Sequence, residues 1–93
     1  MLKLYKFYWN YGRHGEVDGL FLATKEEIAA AIGKNVVFGE ILGKHSYISG
    51  VLDSEDFTIL SEDAEFIAQL LKVFDGKQTI SGYNPLHYIE ECY

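Results

Sequence analysis

The chain has one cysteine, Cys92, and one proline, Pro85, in 93 residues. A single thiol cannot close an internal disulfide, so the domain relies on its own core, and the composition fits a reducing compartment such as the cytoplasm. No apolar run approaches the roughly 18 residues of a membrane span. Repeats, low-complexity tracts and linkers are absent. The first nine residues alternate lysine with apolar side chains and lack a small-residue cleavage site, so they read as an opening strand rather than a signal peptide. Bases are scarce in the second half. Residues 47–93 hold only Lys72 and Lys77 against nine acids, whereas residues 1–46 hold six bases against five. A net charge of −6 gives the surface as a whole no electrostatic reason to seek nucleic acid directly.

What is present is apolar and aromatic material. Hydrophobic residues make up 48% and aromatics 15%, enough for one core and too much for a disordered chain. The length suits a single domain, residues 1–93. Residues 2–9 read as an aromatic-rich strand. Residues 10–19 read as a loop, marked by three glycines, and residues 20–23 as a second short strand. Thr24-Lys-Glu-Glu27 has the capping-box pattern, opening a helix that ends at Gly33. Residues 35–42 and 46–52 are expected to flank a hairpin turn at Gly43-Lys44. Residues 53–56 form a turn, and 57–60 a further strand. Ser61 is placed to cap a second helix, whose Ile67, Leu70, Leu71 and Phe74 follow helical spacing. Asn84-Pro85 then opens a short terminal helix through Glu91. The order ββαβββα predicts an α+β two-layer domain: a mostly antiparallel sheet with two helices on one face. Such a sheet leaves apolar residues uncovered on its second face, from which a homodimer or a partner-bound form is expected.

Three stretches carry candidate chemistry. Gly39-Glu-Ile-Leu-Gly-Lys-His-Ser46 offers Lys44, His45 and Ser46 to an anionic group, although its glycine spacing is not that of a P-loop. The plain alternative is a polar hairpin tip. Trp9-Asn-Tyr-Gly-Arg-His-Gly15 offers Arg13 and His14 to a phosphate, with Tyr11 or the preceding Tyr8 to stack a base; the plain alternative is a glycine-bearing loop with aromatics dropping into the core. Together the two stretches would suit capture of a nucleotide. As a lesser alternative, two histidines and a lysine form the set a metal-free ribonuclease uses. The third stretch, residues 53–65, has Asp53, Glu55, Asp56, Glu62, Asp63 and Glu65 and no base. These carboxylates either cap local structure or imitate nucleic-acid phosphates to occupy the basic groove of a partner protein. His87 and Glu91 stand at helical spacing, but no further ligands accompany them, so neither a metal nor a cofactor is expected. No residue set is assigned a catalytic role.

Across most of its length, and most clearly at Tyr8-Trp-Asn-Tyr-Gly-Arg13 and Phe38-Gly-Glu-Ile-Leu-Gly-Lys-His-Ser46, the chain resembles a group of small phage and prophage proteins. The resemblance implies a class of role, disarming host defence as anti-CRISPR proteins and nucleotide-signal sponges do in the host cytoplasm. It carries over no site residue. The leading expectation is therefore a non-enzymatic inhibitor of a host defence or nucleic-acid-handling protein.

Overall fold

A computed structural model describes residues 2–10, 15–39 and 48–89. Its strands are β1 (Leu2–Asn10), β2 (Glu16–Thr24), β3 (Asn35–Gly39), β4 (Ile48–Val51), β5 (Phe57–Ser61) and β6 (Thr79–Gly82). Helix α1 (Lys25–Ala31) lies between β2 and β3, and α2 (Ala64–Val73) between β5 and β6. Single 3-10 turns occupy Ser54–Asp56 and Pro85–His87. Four strands form an antiparallel sheet in the order β5-β1-β2-β6, and β3 and β4 form a separate antiparallel pair. This is a small α+β domain. No described helix is long and apolar enough to cross a membrane.

The period of the long hairpin divides the apolar residues between two faces. In β1 and β2 the register pairs Leu4 with Leu22, Tyr5 with Phe21 and Trp9 with Val17. Tyr5, Phe7, Val17, Phe21 and Ala23 point to one face. There they meet Ile28 and Ala31 of α1, and Val36, Phe38 and Ile48 of the β3–β4 pair. Phe38 is the hub, with ring centroids 5.9 Å from Phe7, 5.6 Å from Trp9 and 4.8 Å from Tyr88. Leu4 and Leu22 point to the other face, where Ile67 of α2 covers them, flanked by Leu2, Leu70, Leu71 and Ile80.

The two helices therefore sit on opposite faces of the sheet, not on one as the sequence suggested. Pattern alone could not decide this, because β1 is apolar on both sides and accepts a helix on either. The second face is not bare: α2 covers one end of it, and the uncovered part carries Lys6, Asp18 and Ser81 beside Leu20 and Leu60. The reason for expecting a dimer on that face is correspondingly weaker.

Five further expectations are corrected. Strand β2 begins at Glu16 rather than residue 20, so much of the expected loop is strand. Gly19, taken as a loop marker, is a packing glycine: a Cβ there would overlap the Tyr83 backbone. Residues 79–82, given no element by the sequence, form β6 against β2. Ser61 ends β5 instead of capping α2; its hydroxyl accepts from the Asp63 N–H at 3.2 Å, and Asp63 is the cap. The terminal helix is only the turn Pro85–His87, after which Ile89 makes an antiparallel bridge to Val36.

Other local expectations hold. Glu27 N–H donates to Thr24 Oγ1 at 3.1 Å while Glu27 Oε1 accepts from the Thr24 N–H at 3.0 Å, the two arms of the capping box. Gly33, just past α1, has φ +90°, a conformation that favours glycine. The Gly43-Lys44 turn lies outside the described residues.

Candidate partner-binding edge

The six acids of residues 53–65 are held around β5, an edge strand of the sheet. Glu55 and Asp56 precede it and Glu62 and Asp63 follow it. Most of them have a structural task. Asp53 caps the 3-10 turn by accepting from the Glu55 N–H at 3.2 Å, and Asp56 accepts from the Asp53 N–H at 2.9 Å. Asp63 caps α2 through the N–H groups of Glu65 (3.0 Å) and Phe66 (3.5 Å). Glu62 accepts from Lys3 Nζ at 2.7 Å. That hydrogen bond, with the lysine's charge behind it, lowers the Glu62 carboxyl below its ordinary pKa and raises Lys3 above its own. Among the described residues the side chains of Glu55 and Glu65 have no hydrogen-bond or ion-pair partner, and both residues are exposed.

Capping therefore accounts for Asp53, Asp56 and Asp63, and a surface ion pair for Glu62. It does not neutralise them. A capping carboxylate keeps its charge and two further lone pairs toward solvent. Among the described residues Lys3 pairs with the set directly, at the α2 end, and the charge of Lys25 also reaches Glu62. The result is an exposed strand with negative charge at both ends, and Ile59 and Leu60, each 48% exposed, between them. Sequence reasoning found the acids and missed the two aliphatic residues. The signal was present: the run Phe57-Thr-Ile-Leu-Ser61 is apolar without strict alternation, which fits a strand whose edge is not buried.

Of the other candidate residues, Tyr11, Arg13, His14, Lys44, His45 and Ser46 lie outside the described residues. Tyr8 is on β1, exposed, and opposite Asp18 in the ladder. Its hydroxyl donates to Glu16, which raises its pKa, with burial and the charges of Glu16 and Asp18 adding to the effect. A ring between two carboxylates suits a cation or a neutral base better than a phosphate. The strand ends leading into both candidate loops do lie together, since Trp9 and Phe38 are in edge-to-face contact. Among the described residues no three His, Cys, Asp or Glu side chains gather to hold a metal. His87 is in the 3-10 turn, and Glu91 is outside the described residues. A cleft of about 480 Å³ beside β6 is lined by Lys77, Gln78, Thr79, Asn84, His87 and Tyr88. The buried Asn84 amide there is already satisfied by Thr79 Oγ1 and the Leu86 N–H.

Compared with family models, curated proteins and solved structures, the chain matches none of them.

Proposed function

We propose that this domain is a non-enzymatic binding protein whose acidic edge occupies a basic surface of a partner protein. The partner class is the one implied by the resemblance to phage proteins: a host defence or nucleic-acid-handling protein in the bacterial cytoplasm. The observation that carries the reading is the placement of the six acids of residues 53–65, without a base among them, around one exposed strand. Opposed charge of this kind speeds encounter and selects partners more than it adds affinity. Glu55 and Glu65 are the residues to alter, because neither holds the fold together. Beads bearing the wild-type domain should retain a basic protein from bacterial lysate at low salt, and beads bearing Glu55→Lys/Glu65→Lys should lose it. Equal retention of that protein by both would overturn the reading.

A second reading, capture of a small anionic ligand such as a nucleotide, is favoured by the contact of Trp9 with Phe38, which brings the last residues of β1 and β3 together. Arg13, Lys44, His45 and Ser46 would hold the phosphate and Tyr8 or Tyr11 the base. Titration calorimetry against mono-, di- and cyclic nucleotides should then give saturable heat, and its absence with all three ends this reading.

A further inference from the structure

Strand β5 pairs with β1 on one side, and among the described residues no strand covers its other side. Alternate residues of such an edge direct N–H and C=O groups away from the sheet, a ready template for another strand. Edges are commonly blunted with lysine, proline or an inward charge. Phe57-Thr-Ile-Leu-Ser61 has none of these; its one irregularity is a register shift against β1 between Ile59 and Ser61, which leaves Phe57–Ile59 in regular pairing.

Two independent features adjoin this edge. On the face carrying α1, a groove of about 250 Å³ lies between α1 and β5, with Tyr5, Ile28, Ala29, Ile32, Phe57 and Ile59 as its apolar lining and Lys25 and Ser54 as its polar lining. Ile32 and Ile59, on its two sides, are 39% and 48% exposed. The groove is smaller than the roughly 300–1,000 Å³ of a small-molecule site. A strand added to β5 would run about 4.8 Å away and project alternate side chains over the same face. The second feature is charge: acids stand at both ends of β5, Glu55 and Asp56 before it, Glu62 and Asp63 after it.

We infer that β5 is a docking edge for an extended segment of a partner protein, with aliphatic residues at alternate positions and Lys or Arg at both ends. The inference rests on the acidic-edge reading above and specifies how the partner is held. Backbone pairing with β5 supplies affinity, the α1–β5 groove selects aliphatic side chains, and the flanking acids select basic ends. A second copy of the chain does not fit. Antiparallel self-pairing sets the Asp56 end of one β5 against the Glu62 end of the other, and parallel pairing sets like ends side by side. Both arrangements oppose like charges, which destabilises cross-strand pairs.

The test uses a fluorescein-labelled peptide, Lys-Lys-Val-Thr-Val-Thr-Val-Lys-Lys, and three relatives: one with proline at the central valine, one with serine at every valine, and one with glutamate at every lysine. Anisotropy is read with the wild-type domain, with Ala29→Phe, which fills the groove from an exposed helical position, and with Ala30→Phe, which lies outside the groove lining. The first peptide should bind, and the other three should bind at least tenfold more weakly. Ala29→Phe should lose tenfold for the first peptide while Ala30→Phe loses nothing. If the proline and serine peptides bind as well as the first and Ala29→Phe has no effect, strand docking is overturned while the acidic reading stands. If the glutamate peptide binds as well as the first, the acidic reading falls, and this inference with it. A particle of twice 10.6 kDa at micromolar concentration, returned to the monomer mass by Ile59→Lys, would assign the edge to a second copy and overturn the proposal.

Discussion

The two edges of the four-stranded sheet are built on opposite plans. At β6 the backbone is drawn in. Gly82, at φ +66°, packs against Asp18 and Gly19, and Gly19 leaves room for the Tyr83 backbone. The Tyr83 N–H donates to Asp18 O at 3.0 Å, the Leu22 N–H to Gln78 O at 2.7 Å, and Asn84 Nδ2 to Thr79 Oγ1 at 3.1 Å. At β5 the side chains are turned out: Ile59 and Leu60 are half exposed, and acids bracket the strand. One edge uses its atoms to close the fold. The other leaves apolar and charged groups available, and that difference is why β5 is the edge proposed for docking.

The largest effect is expected at β6. Gly19→Ala forces a methyl into the Tyr83 backbone, and overpacking against main chain that cannot yield should cost about 3 kcal/mol or more. In urea unfolding the midpoint falls with the slope unchanged, and Tm drops by about 12 °C or more. Asn84→Ala comes next. It removes a buried amide bonded at both ends, leaving Thr79 and the Leu86 N–H to find other partners, at about 2 kcal/mol. On the β5 side, Asp63→Ala removes the α2 cap and should cost about 1 kcal/mol, whereas Glu55→Ala should stay within about 0.5 kcal/mol. A cost for Glu55→Ala equal to that of Asp63→Ala would show that Glu55 has a structural task after all.

The Lys3–Glu62 pair should give the smallest effect, and its sign with pH is set. Glu62 is lowered in the folded state, so its contribution is present above the ordinary carboxylate pKa and lost as pH falls through the folded value. Lys3 is raised, so its contribution is present below its ordinary pKa and lost as pH rises through the folded one. The advantage of wild type over Glu62→Gln in thermal unfolding should therefore exist at neutral pH and vanish toward both extremes. Salt should shrink it, since the pair is solvent-exposed. An advantage that persists under acid would mean that Glu62 acts through packing instead.

Local signals were legible in the chain, and non-local ones were not. The capping box of Thr24 and Glu27, the glycine stop at Gly33 and the helical spacing of Ile67, Leu70 and Leu71 depend on neighbours within a turn or two, and each appears in the structure. The strand role of residues 16–19 was hidden because Gly19 has the identity of a loop residue and the position of a close-contact residue, which only its neighbour Tyr83 reveals. Strand β6, four residues ending in Ser-Gly, is too short for its Thr-Ile pair to announce a strand and exists by pairing with β2. The choice of face for α2 was invisible because Leu2 and Leu4 alternate with Tyr5 and Phe7, leaving both sides of β1 apolar. For the candidate site, the acidic run was plain in the sequence. Its division into capping carboxylates and the unpartnered Glu55 and Glu65 required hydrogen bonds that no spacing shows.

If β5 is the docking edge and β6 the closing edge, amide hydrogen exchange of the wild-type domain, with and without the basic-flanked valine peptide, separates the two. Amides of Phe57–Ser61 should slow on addition of the peptide while those of Thr79–Gly82 exchange as before. Protection at β6, or at neither edge with the peptide bound, would contradict that assignment.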